Sequence, residues 1–189
     1  MSPAAHPLPR TGASADANAL FEFLDETHQR MQAELRHMNR AVDALVQAQL
    51  QPAERAQLQE AVRWFDTTAR QHHLDEEKHV LPLLQASDNA QVADIARRLR
   101  QDHGWIEQNW LEIEPMLSAV VNGNHWFEPE QLQESVQLFT QLCLDHLALE
   151  ESQAYPDARA RIDPAALAAA DREMAARRKT QEARQHARH

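Results

Sequence analysis

The sequence predicts an all-α fold: an up-down-up-down four-helix bundle followed by an additional C-terminal helix. Three observations carry this. Apolar residues recur at alternating steps of four and three over four long stretches, the seam spacing of packed helices. Short breaks separate those stretches, and short connections make sequential helices antiparallel neighbours. Only three glycines occur in 189 residues, and β-branched residues are scarce, so strands have little to form from.

The first helix is expected from near Asp16 to about Ala48, with the seam Leu24, His28, Met31, Leu35, Met38, Val42, Leu45. Gln51-Pro52 ends it, because proline suits the first turn of the next helix. The second runs from about Ala53 to Leu84 on the seam Leu58, Val62, Phe65, Ala69, His72, Glu76, His79, Leu83, with Pro82 disturbing its last turn. Ser87-Asp88-Asn89 then supplies a turn and a cap. The third runs from about Ala90 to Val121 through Val92, Ala96, Leu99, His103, Ile106, Trp110, Ile113, Leu117 and Val120, and Asn122-Gly123-Asn124 stops it. The fourth starts at Pro129 and reaches about Ala160 through Leu132, Val136, Phe139, Cys143, His146, Glu150 and Gln153. Asp163-Pro164 opens the Ala-rich fifth helix. The expected division is a flexible arm over 1–15, the bundle over 16–160, and the Ala-rich helix with a basic tail over 161–189.

Composition excludes several classes of function. A formal charge of −10 repels phosphate, so nucleic acid is not an expected partner. No stretch of 18 apolar residues exists to span a membrane. The first 18 residues lack the apolar core of a signal peptide. A single cysteine, Cys143, can make no internal disulfide, which fits a reducing cytoplasm.

The functional signal is an internal repeat. His72-x-x-x-Glu76 stands ten and six residues before Pro82, and His146-x-x-x-Glu150 stands ten and six before Pro156. His28 lies 44 residues before His72, and His103 lies 43 before His146. The midpoints of His28/His72, His72/His103 and His103/His146 all fall in connecting turns, so the four imidazoles share one layer of the core. Glu76 and Glu150 each sit one turn, roughly 6 Å, beyond their histidine on helices of the same direction, and enter that layer from one side. Unpaired, six such groups would each cost several kcal/mol or lose their charge. A metal centre removes that cost. Nitrogen and oxygen donors without thiolate suit iron, manganese or zinc. Two carboxylates between two histidine pairs point to two metals about 3.5–4 Å apart, bridged by the glutamates. None of these four histidines lies three residues after a glutamate, as the Glu-x-x-His pattern of ferritin-like sites would require.

His28, His72-x-x-x-Glu76, His103 and His146-x-x-x-Glu150 together resemble the hemerythrin-like HHE cation-binding domain family, over about Asp16 to Arg159. The resemblance is closest to its four-His, two-Glu members. It implies two iron ions, oxo- or hydroxo-bridged, with manganese or zinc as alternatives, and binding or sensing of a small diatomic ligand, O2 or NO, or iron handling. It equally admits a di-iron redox enzyme with a redox partner, of the kind that repairs iron–sulfur clusters. A purely structural bundle holding zinc or no metal is the third reading. Oxygen-carrying members place a fifth histidine four residues after the third-helix ligand, where this chain has Glu107. His79 and Glu107 are the flanking candidates. His73, Glu77 and Glu151 read as surface or outer residues, Tyr155 as a plug at a helix end, Cys143 as packing, and Trp64, Phe65, Trp105 and Trp110 as bundle core.

Overall fold

The computed structural model describes residues 19–124 and 126–186. The arm expected over 1–15 lies outside the described residues. Within them all regular structure is helical: α1 (Ala19–Val46), α2 (Pro52–Trp64), α3 (Arg70–His79), α4 (Leu81–Gln85), α5 (Ala90–Val121), α6 (Pro129–Leu149), α7 (Tyr155–Arg161) and α8 (Pro164–His186). Single π turns, Phe65–Ala69 and Glu150–Ala154, join α2 to α3 and α6 to α7. The chain divides into two compact units, one of them Phe23–Ile162. That unit is the up-down-up-down bundle, its second rod made by α2–α4 and its fourth by α6–α7. The C-terminal helix α8 belongs to the other unit, and Asp163 Oδ1 caps it by accepting from the N–H groups of Ala165 and Ala166, both at 2.9 Å.

Local chemistry sets the bundle's ends. Asn89 Oδ1 caps α5 by accepting from Gln91 N–H at 3.0 Å. At the start of α2, Gln51 N–H donates to Glu54 Oε2 at 2.8 Å. Helices α1 and α5 close in the same way. Gln49 N–H reaches Ala44 C=O at 2.8 Å, and Asn124 N–H reaches Ala119 C=O at 2.8 Å, each wrapping a residue of positive φ. In the second turn that residue is Gly123 (φ 74°), but in the first it is Ala48 (φ 53°), whose Cβ is strained there.

The predicted seams are buried nearly throughout. Every seam position of α5 from Val92 to Val120 is buried, and Met31, Leu35, Met38, Val42, Leu58, Val62, Phe65, Val136 and Phe139 join it in one core at the α1–α2 and α5–α6 end. Leu24, Leu81, Leu84, Ala96, Leu99 and Ala158 are buried at the other end. Two departures follow from helix breaks. Pro82 cannot donate to the ladder and crowds the carbonyl four residues back, so the second rod breaks at Val80 (φ −105°) and buries Leu81 and Leu84 rather than Leu83. In the fourth rod the buried positions after Glu150 are Ala154, Tyr155 and Ala158, while the expected Gln153 is exposed. A π turn carries one extra residue, which sets the following face back by about 100°, one residue of rotation. Trp105, expected in the core, stands 52% exposed.

Replacing Ala48 with glycine is expected to stabilise the protein by about 1 kcal/mol by releasing the left-handed strain. Urea unfolding of the variant beside the parent chain checks this; an unchanged or lower midpoint contradicts it.

Candidate metal centre

The bundle brings together all six residues singled out by spacing. His28 comes from α1, His72 and Glu76 from α3, His103 from α5, His146 from α6, and Glu150 from the π turn that follows it. All six are buried, none more than 4% exposed. His28 Nε2 and His72 Nε2 face each other at 3.1 Å.

Each carboxylate spans two groups of imidazoles. Glu76 Oε1 lies 3.4 Å from His72 Nε2 and 3.9 Å from His28 Nε2, while its Oε2 lies 3.4 Å from His103 Nε2. Glu150 Oε2 lies 3.3 Å from His28 Nε2, while its Oε1 lies 3.1 Å from His146 Nε2 and 3.8 Å from His103 Nε2. None of these approaches has hydrogen-bond alignment. Glu76 Oε2, both oxygens of Glu150, His103 Nε2 and His146 Nε2 remain buried without a hydrogen-bond partner among the described residues. Such a set of inward-facing, unsatisfied N and O atoms fits a cation and nothing apolar.

His73 joins the cluster, against the expectation of a surface role. It is 8% exposed, stacks on His103 with ring centroids 4.3 Å apart, and lies 5.6 Å from the His146 ring. Its Nε2 is also buried and unpartnered. The cause is the π turn Phe65–Ala69. By setting α3 back one residue, it makes His72 and His73 straddle the inward direction instead of leaving His73 on the flank. Two four-residue groups could then each hold an ion: His28, His72, Glu76, Glu150, and His73, Glu76, His103, His146. Glu107, at the position of the oxygen carriers' fifth histidine, is 51% exposed and pairs with Arg70 at 3.2 Å.

The second π turn does the same for Tyr155. Its hydroxyl donates to Glu76 Oε1 and lies 2.9 Å from His28 Nε2, and its ring stacks on His28 at 5.1 Å. Expected as a plug at a helix end, this residue instead lies within the fourth rod, which continues to Arg161, and its hydroxyl enters the cluster. No sequence period marks it; the one available sign is its place five residues after Glu150, which only the shifted register turns inward.

The residues after the inward glutamates hold imidazoles from outside. His28 Nδ1 meets Glu151 Oε1 at 3.0 Å, and His103 Nδ1 meets Glu77 Oε1 at 3.1 Å. A carboxylate on Nδ1 fixes the ring so that Nε2 faces inward, and makes that nitrogen more basic. Asp102 Oδ2 stands 3.8 Å from His146 Nδ1. Cys143 is a core residue whose thiol burial pushes well above its usual range, and it lies in neither candidate group.

The protein groups alone impose a divided protonation pattern. Burial opposes charge on His28 and His103, but the Glu150 and Glu76 carboxylates outweigh it and raise both to about 10. Burial likewise opposes charge on His146, and Glu150 with Asp102 overcomes it to reach about 9. Burial prevails at His72, which falls to about 4, and at His73, where the charges of His103 and His72 add to it. Burial disfavours the ionised forms of Glu76 and Glu150, yet the surrounding imidazoles hold both well below the usual carboxylate range. The cluster therefore keeps two buried anions and gathers positive charge around them.

A family model for the hemerythrin HHE cation binding domain matches residues 19–158. The chain belongs to this family. No curated protein and no solved structure matches it. The hemerythrin HHE match spans all four rods of the bundle, and with the buried His/Glu cluster it makes this a metal-cation-binding domain. No described helix of this hemerythrin HHE chain is long and apolar enough to cross a membrane.

These shifts set a pH profile for chelator-treated protein. Groups raised above 6.5 (His28, His103, His146) contribute stability that is complete below pH 6.5 and is lost as pH climbs through about 9 to 10. Lowered histidines (His72, His73) contribute stability that is complete above 6.5 and is lost as pH falls toward about 4 and below. The lowered Glu76 and Glu150 contribute stability that is complete above about pH 4.5 and is lost as pH falls further. Urea unfolding of the chelated protein is expected to show maximum stability near pH 6.5, falling on both sides. A profile flat from pH 5 to 9 contradicts this.

Proposed function

We propose that this protein is a non-haem di-iron protein that binds or senses O2 or NO. The observation that supports it best is the orientation of the two carboxylates. Each presents one oxygen to the His28/His72 side and the other to the His103 side, as bridging ligands of a metal pair do. In this reading His28 and His72 complete one iron site, and His103, His146 and His73 the other, with Glu76 and Glu150 shared. An all-nitrogen-and-oxygen donor set without thiolate suits iron, with manganese or zinc as alternatives. Iron held there would supply reversible one-electron redox chemistry and positions open to a small gas molecule.

The chain's own residues supply the rest. Glu151 and Glu77 orient His28 and His103. The Tyr155 hydroxyl, whose pKa burial and the Glu76 charge keep well above 10, holds its proton at neutral pH and donates it in a hydrogen bond to Glu76 Oε1. Apolar seam residues pack on both sides of the layer. A redox enzyme working with a partner protein is the second reading; it shares the same residues and differs in needing turnover with a reductant.

Iron-loaded protein is expected to carry two ions per chain by elemental analysis. His72→Leu, His146→Leu and His73→Leu should each reduce that to about one or fewer, while Glu107→Gln should leave it unchanged. Full occupancy in both His72→Leu and His146→Leu would overturn the di-iron assignment. Loss of iron in Glu107→Gln would return the open position to the third helix. Anaerobic absorption spectra before and after adding O2 or NO then test the gas ligand.

A further inference from the structure

A cavity leads from the surface to the His73 and His103 side of this cluster, and its size does not match a gas. It has a volume of about 310 Å³ and lies between the second rod and α5. Its inner end is the stacked pair His73 and His103. Its wall includes Phe65 and Trp110, stacked at 4.9 Å, with Ala69 and Ile106. Leu74 and Leu111, 53% and 63% exposed, stand at its rim.

Three features make this a built pocket. The π turn Phe65–Ala69 lies along it, so the register shift that brings in His73 also shapes the wall. Trp110 is fixed by its indole N–H, which donates to Asp66 Oδ1 at 2.9 Å. Gly104 lines it directly beside His103, and a Cβ there would meet nothing within 4 Å, so the missing side chain leaves open space in the cavity.

The lining also defines the occupant. At roughly 30 Å³ per water-sized atom, the volume corresponds to about ten heavy atoms, and an apolar cavity of about 150 Å³ already holds benzene. The rim's charges are engaged within the protein. Arg70 pairs with Glu107 at 3.2 Å, Arg100 lies 4.0 Å from Glu77, and Glu114 accepts from Ser118 at 2.5 Å. Asp66 is committed to Trp110. Each of these charges already has a partner within the protein, so none stands bare at the rim to select a charged ligand.

We propose that this cavity binds a neutral, mainly apolar, ring-containing organic molecule of about ten heavy atoms, seated against the His73–His103 face of the centre. The inference deepens the metal-site reading, since the occupant would contact residues assigned there to iron. The pocket itself is formed by protein groups and can be tested with or without the ion.

The test uses indole as the probe on the full chain, both iron-loaded and chelator-treated. Titration is followed by calorimetry and by the Trp110 indole N–H resonance. Indole is expected to bind and shift that resonance. Benzoate and benzylammonium should bind at least tenfold more weakly. Gly104→Ala should bind like the parent, because its Cβ meets open space. Gly104→Leu should fill the cavity and weaken indole at least tenfold with iron content unchanged, and leucine is the better helix former, so folding is not compromised. Absence of indole binding to the parent, equal binding by Gly104→Leu, or preference for either charged probe overturns the proposal. Indole binding by a chain that takes up no iron would instead remove the di-iron reading and leave this one standing.

Discussion

Two carboxylates are buried at the centre of a four-helix bundle, and much of the structure answers that constraint. Glu76 and Glu150 are essentially inaccessible, and their oxygens lie within 4 Å of imidazole nitrogens on four different rods. Buried anions persist only when cationic groups or metal ions surround them. The histidines respond in opposite ways: His28 and His103, against both carboxylates, rise to about 10 and His146, against Glu150 and Asp102, to about 9, while His72, where burial prevails, falls to about 4. Charge is thus concentrated on one layer, with apolar side chains packed on either side of it.

The layer is assembled by a repeated local device. In both His-x-x-x-Glu copies the inward glutamate is followed by a second one, Glu77 or Glu151, which grips Nδ1 of a histidine on a different rod. Three residues on one rod thereby supply an inward nitrogen, an inward carboxylate and a brace for a facing ring. The two π turns complete the arrangement. The first rotates His73 inward alongside His72, and the second rotates Tyr155 onto His28 and Glu76. Isolated π turns have poorer hydrogen-bond geometry than the α-helix and survive where the surrounding packing favours the shifted register.

Much of this was legible in the residues. Alternating steps of four and three located the rods, the short breaks made them antiparallel, and equal distances from the turns placed His28, His72, His103 and His146 at one height. The cap at Asn89 and the stops at Asn122-Gly123-Asn124 and Asp163-Pro164 could be read locally, because capping depends on a few adjacent side chains. The hidden part was angular. His73 looked like a flank residue and Gln153 a seam residue, because the count assumed 3.6 residues per turn throughout, and Glu107 drew attention that belonged to His73.

By itself, then, the sequence determined the helical class, the rod boundaries and the axial register of the six polar residues, because these follow from spacing along a regular helix. Only the tertiary structure decided which way each helix faces after a break. A single extra residue in a turn rotates everything beyond it by about 100°. No side chain at Phe65–Ala69 or Glu150–Ala154 announces that turn, since it is selected by how the whole rod packs against its neighbours. That rotation brought the fifth histidine and the tyrosine to the centre and moved Gln153 out to solvent.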